Sequence, residues 1–132
     1  MTDTKRQEYR VAGLSEPLSH YTDAVRFGDT VYVSGLAPLD QAGRLVGENN
    51  PVAQTECILA HLKSVLDAIG ATYADVLKVV VYVTDISCRQ AINTVRQKYF
   101  GTSRPASTLV EVRALAIAGM MVEIEAVVGL RR

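Results

Sequence analysis

No stretch of this chain comes near the ~18 consecutive apolar residues that a membrane-spanning helix needs. Its first ten residues, MTDTKRQEYR, hold no apolar run of the kind a secretory leader carries, so a cytoplasmic location is expected. Cysteine is scarce. Cys57 and Cys88 stand outside any CxxC or Cys/His cluster, and both are expected in helices, reduced, in a cytosol-like compartment. Histidine is equally scarce. His20 and His61 are isolated, which argues against a zinc site, and His61 reads as a partly exposed helix residue beside an apolar stripe. GxGxxG, GxxxxGK[ST] and GxSxG are all absent, so no dinucleotide fingerprint, P-loop or hydrolase elbow is offered. Charge of either sign is not in excess: Lys+Arg and Asp+Glu both count 14. The arginines are scattered, which argues against a nucleic-acid binder. Arg131–Arg132 reads as a solvated end.

What is present is enough for a core. The 132 residues are 48% hydrophobic and 21% charged, which fits a single domain over residues 1–132. Residues 1–6 are polar and read as frayed or extended. Residues 7–12 can form a short strand, and residues 13–23 are a loop by composition. Strands are expected over 24–27 and 30–34 around the Gly28-Asp29 turn. After a long loop, Asn50 and Pro51 are a good cap and first residue for a helix. Its stripe runs through Thr55, Ile58, Leu59, Leu62, Val65, Leu66 and Ile69, and Gly70 ends it. Residues 79–83 are β-branched and apolar on both faces, which predicts a central strand. Ser87 and Gln90 form a capping-box pattern ahead of a second helix through Ile92, Val95, Arg96 and Tyr99. Strands over 108–112 and 121–128 close the chain.

The order β-β-β-α-β-α-β-β predicts an α+β fold, a mixed sheet with two helices on one face. The other face would mix polar and apolar groups, including Glu123 and Glu125, as a face does that meets another subunit or lines a site. Two carboxylates on one strand face can be a general acid/base and its partner; the alternative is solvent exposure or pairing with Arg113. The Ser19-His20-Tyr21 loop can supply a hydroxyl or an imidazole to a cleft. Asn93, on a helix, is normally a surface residue.

The ordered set of segments resembles the RidA/YjgF/YER057c/UK114 family. The resemblance is carried by Tyr21 to Asp29 leading into Val31-Tyr32-Val33-Ser34-Gly35, then by Asp75 to Lys78, Asn93 and Tyr99-Phe100. Arg104 to Val112 and Val122-Glu123-Ile124-Glu125-Ala126 complete it. It covers nearly the whole chain from about Tyr9. The resemblance implies a chorismate-mutase-like (RidA/YjgF) α+β fold and a homotrimer with clefts between subunits. It also implies deamination of reactive enamines and imines, with no metal or organic cofactor. By position, Tyr21 matches the early-loop tyrosine that shapes the cleft and Gly35 a glycine near the site. Asn93 matches the helix asparagine, and Glu123 the glutamate associated with the catalytic water. Glu123, Tyr21 and Asn93 are therefore the candidate catalytic residues.

The chain departs from the archetype at Ser107, where an arginine follows Pro-Ala and grips the substrate carboxylate. A serine hydroxyl cannot replace a bidentate guanidinium. Leu109 stands where a cleft cysteine is frequent. These departures imply a carboxylate-bearing enamine or imine other than 2-aminoacrylate; branches lacking the arginine include 2-aminomuconate deaminases. His20, Gly35, Ser107, Leu109 and Arg10 are the candidate substrate-binding residues, with His20 or Arg10 and the backbone beside Ser107 offered for the carboxylate. Two other classes stand beside the deaminase: a non-catalytic metabolite-binding trimer, and a ribonuclease. Neutral charge and the lack of a histidine pair or an aromatic stacking stripe argue against the last.

Overall fold

A computed structural model describes residues 5–131. Its strands are β1 Gln7–Tyr9, β2 Ala24–Phe27, β3 Thr30–Leu36, β4 Val76–Val83, β5 Ala106–Glu111 and β6 Val122–Gly129. The helices are α1 Pro51–Ile69 and α2 Arg89–Phe100. The element order is the one the sequence predicts.

Helix α1 forms where its local signals agree. The Asn50 side chain accepts from the Ala53 N–H, Pro51 opens the first turn, and Gly70 closes the helix at φ 72°. The stripe from Ile58 through Leu66 is buried. Helix α2 starts differently from expectation. Residues Ile86–Cys88 form a 3-10 turn capped by Asp85, whose carboxylate accepts from the Ser87 N–H. Ser87 makes no capping box, because Asp85 has already taken its N–H. Cys88 belongs to this turn, ahead of α2.

The six strands form one sheet in the order β1-β2-β3-β6-β4-β5. The last strand, β6, inserts antiparallel between β3 and β4. Only β4 and β5 run parallel, with α2 as the return between them. Both helices cover one face, and the core lies between. Val79, Val81 and Val83 of β4 and Val122, Ile124, Ala126 and Val128 of β6 meet Leu59, Leu62, Ile92 and Val95 there. Filling such a site with a leucine stabilises the fold by about 1.5–3 kcal/mol.

The other face is open. β4 is therefore not buried on both sides: Leu77 is 55% exposed, and Val80 and Tyr82 are only half-buried. Tyr32, Phe27 and Val110 share this face and are exposed as well. β5 is an uncovered edge, and parallel pairs are rarely left so bare.

Long-range polar contacts pin the loops. Gln54, fully buried in α1, donates to the Gly47 and Gly119 carbonyls at 3.1 and 2.9 Å and accepts from the Met121 N–H at 2.7 Å. Arg131 is exposed, as expected of a solvated end, and is also paired: it bonds the buried Asp75, whose carboxyl it holds below its ordinary pKa. Residues 1–4 and Arg132 lie outside the described residues, as does most of the segment expected to fray.

Candidate functional site

β6 alternates without a break, so Val122, Ile124 and Ala126 point into the core while Glu123 and Glu125 stand on the open face. There they register against Tyr82 and Val80 of β4. The Tyr82 hydroxyl donates to Glu125 at 2.6 Å, fixing that carboxylate beside its neighbour. That hydrogen bond is the chief cause raising the tyrosine's own pKa. Glu123 is half-buried. Burial, and then the charge of Glu125, push its carboxyl above the ordinary carboxylate range.

Gly35 makes room for this carboxylate. The β3–β6 register shifts between Val33 and Leu36, and Glu123 lies directly over the Gly35 α-carbon. A β-carbon there would sit 2.6 Å from Glu123 Oε2 and 2.8 Å from its carboxyl carbon. The absence of a side chain at Gly35 is thus a condition of where the acid stands.

The early loop forms the opposite wall. The Tyr21 hydroxyl accepts from the Leu18 N–H at 3.1 Å, closing a small ring in the loop. The Ser34 hydroxyl donates to the Thr22 carbonyl at 2.6 Å, tying that loop to β3. Together these elements enclose a cleft of about 260 Å³ whose walls include Leu18, Tyr21, Ser34, Gly35, Ala116 and Glu123.

Of the residues proposed from sequence, Glu123, Gly35 and Tyr21 are thus brought together. His20 is exposed in an adjoining groove with Arg6, Glu8 and Thr22, which shares Tyr21 with the cleft. Arg10 is turned elsewhere. It pairs with the buried Asp23, which also accepts from the Val11 N–H at 2.7 Å, and it reaches Glu16 at 3.3 Å. That guanidinium ties β1 to the loop.

Asn93, Ser107 and Leu109 lie away from that cleft. Ser107 and Leu109 register with Val79 and Val81, whose side chains face the helices. They therefore lie on the opposite side of the sheet from Glu123. Leu109 packs against the core. The Ser107 hydroxyl accepts from Arg96 Nη2 at 2.9 Å. Asn93 and Arg96, one helical turn apart on α2, line a groove of about 390 Å³ with Arg104.

Sequence reasoning missed Ser34 and Ala116 as cleft walls and Arg96 as the partner of Ser107. Ser34 could have been found beside Gly35, and Arg96 three residues after Asn93. Ala116 carries no local signal.

Contrary to the expectation that neither residue belongs to a Cys/His cluster, Cys57 and His61 pair in α1, and His61 lines a small cavity that shares Leu18, Tyr21, Ser34 and Gly35 with the cleft. His61 Nε2 is 2.7 Å from the Leu39 carbonyl and 3.4 Å from Cys57 Sγ, and both residues are half-buried. Burial raises the Cys57 thiol, the reverse of what a nucleophile needs. Among the described residues no group of three or more His, Cys, Asp or Glu comes together to hold a metal, and no helix is long and apolar enough to cross a membrane.

A family model described as Endoribonuclease L-PSP matches residues 13–129. A RutC family protein of Pyrococcus horikoshii is 33% identical over 112 residues, spanning 85% of this chain and 88% of that one. The 3-aminoacrylate deaminase RutC of Acinetobacter baylyi is 35% identical over 100 residues, 76% of this chain and 79% of that one. Among solved structures, a Rid-family protein of unknown function from Yersinia pestis superposes at a TM-score of 0.90 with 30% identity. The match covers 96% of this chain and all of that one.

Proposed function

This chain belongs to the RidA/YjgF/UK114 family, and on that premise we propose that it is a deaminase. Its substrate is a small carboxylate-bearing imine or the enamine tautomer, and its products are a carbonyl compound and ammonia. The observation that carries the proposal is the Glu123 carboxylate, seated over Gly35 in a cleft and held above its ordinary pKa. The relative that acts on 3-aminoacrylate supports the same reaction class.

In this reading Glu123 orients a water and takes its proton as the water oxygen bonds to the carbon of the protonated imine. The product of that step is a carbinolamine. Glu123 then returns the proton to nitrogen and takes the hydroxyl proton as the C–N bond breaks and the carbonyl forms, and ammonia leaves. A carboxyl raised by burial suits both directions, because base and conjugate acid are populated closer to neutrality. Tyr21 lines the cleft with Glu123. A phosphodiester would need an acid–base pair that the two histidines, in separate places, do not form.

The site is completed between copies. Glu123 and Ser107, which bonds Arg96 of the Asn93 groove, occupy opposite sides of one sheet, so a substrate that meets both must lie between two chains. We take the assembly to be a homotrimer, in which the open face and the bare β5 edge are covered. A closed ring of like contacts supplies both half-sites to every cleft.

The test is ammonia release from freshly generated 2-aminoacrylate, longer 2-imino acids and 2-aminomuconate, with Glu123→Gln as control. Turnover that disappears in the control establishes the deaminase. Saturable binding with no ammonia from any of these would instead favour a metabolite-binding trimer. Mixing inactive Glu123→Gln and Asn93→Ala copies should restore about a quarter of the sites if each cleft draws on two chains. No recovery after confirmed exchange would refute the shared site.

A further inference from the structure

The groove at the corner between α2 and β5 has the chemistry of an anion site. Two guanidinium groups, Arg96 and Arg104, line it together with Asn93 and Ser103, and no Asp or Glu is among its walls. Among the described residues neither arginine takes part in an ion pair. Arg104 is exposed, so water accounts for its charge. Arg96 is different. It is half-buried, and its burial alone lowers its pKa. A cation withdrawn from water without a counter-ion is costly, and that cost is relieved when an anion arrives.

The orientation of Arg96 is also set. Nη2 donates to the Ser107 hydroxyl at 2.9 Å. A guanidinium has five N–H donors in one plane, and this contact uses one of them while fixing the direction of the plane. The remaining donors are available in the fork geometry that matches a carboxylate. The Phe100 ring and Pro105 give the groove an apolar wall, which suits the short carbon chain of a small acid.

We propose that Arg96, oriented by Ser107, is the specificity-determining contact to the substrate's carboxylate. The assignment rests on the deaminase reading only for the word substrate, because the groove would bind a small carboxylate whether or not chemistry follows. One chain supplies this grip, and the Glu123 of a neighbouring copy supplies the acid–base group.

The experiment is calorimetric titration of the assembled protein with 2-oxobutyrate, a stable product-like acid, and with 2-oxobutanamide, its uncharged counterpart. Wild type is expected to bind the acid. Arg96→Gln should weaken that binding about tenfold or more, as loss of a charged hydrogen bond does. Arg96→Lys, which keeps charge but loses the fork, should weaken it several-fold. Affinity for the amide should be unchanged in both variants. Three results would overturn the proposal: no measurable binding of the acid by wild type, unchanged affinity in Arg96→Gln, or equal losses for acid and amide. The last would mark Arg96 as merely structural. The two readings separate cleanly. If wild type binds 2-oxobutyrate through Arg96 yet releases no ammonia from any imine, the deaminase reading fails and this assignment stands. If ammonia is released and Arg96→Gln leaves both binding and KM unchanged, the reverse holds.

Discussion

The two faces of the sheet are made by the same strands, residue by alternate residue, yet they obey different rules. On the helix side every β6 residue from Val122 to Val128 that points inward is apolar and nearly inaccessible. On the open side the alternate positions of the same strand carry Glu123 and Glu125, and the neighbouring strands add Tyr32, Tyr82, Leu77 and Val110. The first face is selected for packing density and has no spare volume. The second tolerates carboxylates because one finds a tyrosine hydroxyl and the other a glycine. Damage to the buried apolar positions of the first face should therefore appear as unfolding, and damage to Glu123 or Gly35 on the second as lost chemistry in a protein that still folds.

The largest expected stability effect lies on the packed face. Leu62 is completely buried, so Leu62→Ala should cost about 2–5 kcal/mol in urea denaturation. A loss below ~1 kcal/mol would mean that the helix layer is loosely packed. On the open face, Gly35→Ala places a methyl group 2.6 Å from Glu123 Oε2, too close for either to stay. The displaced atom is the end of a flexible side chain, so the stability cost should stay near ~1 kcal/mol. Turnover should fall by about two orders of magnitude, as it does when a catalytic group is misplaced by an ångström. If both stability and turnover survived, the tight approach of Gly35 and Glu123 would have no catalytic meaning.

The smallest effect concerns pH. Glu123 binds its proton more tightly in the folded protein than its ordinary value of 4.5 implies. Its contribution therefore favours the fold below 4.5 and is lost as pH rises through the raised value. Glu123→Gln is neutral throughout. It should raise Tm slightly near neutrality, give no gain in acid, and still abolish turnover. A Tm difference independent of pH would show that the carboxylate is not strained by burial.

Local signals made much of this legible. Helix α1 was readable because Asn50, Pro51 and Gly70 act through their immediate neighbours, and the inward and outward sides of β6 followed from alternation alone. The start of α2 is not, since Asp85 and Gln90 are rival acceptors for the Ser87 N–H and the local pattern favours neither. Arg10 was offered for a substrate carboxylate; its occupation by Asp23, thirteen residues away, is a tertiary fact. Asn93, Ser107 and Glu123 looked like members of one site. That Ser107 and Glu123 fall on opposite sides depends on β6 entering between β3 and β4 and on β5 running parallel, and neither pairing is written in any local segment.

Gln54 has a consequence for how the protein opens. Its one buried amide holds the carbonyls of Gly47 and Gly119 and the N–H of Met121, so two loops far apart in sequence are fastened to the first turns of α1. Neither can swing out without leaving a buried donor or acceptor unmet. The segment that brings Ala116 to the cleft therefore belongs to the same cooperative unit as the helical core rather than to the fraying periphery. On the proposed reading, a substrate would meet a cleft rim at Ala116 that is already set.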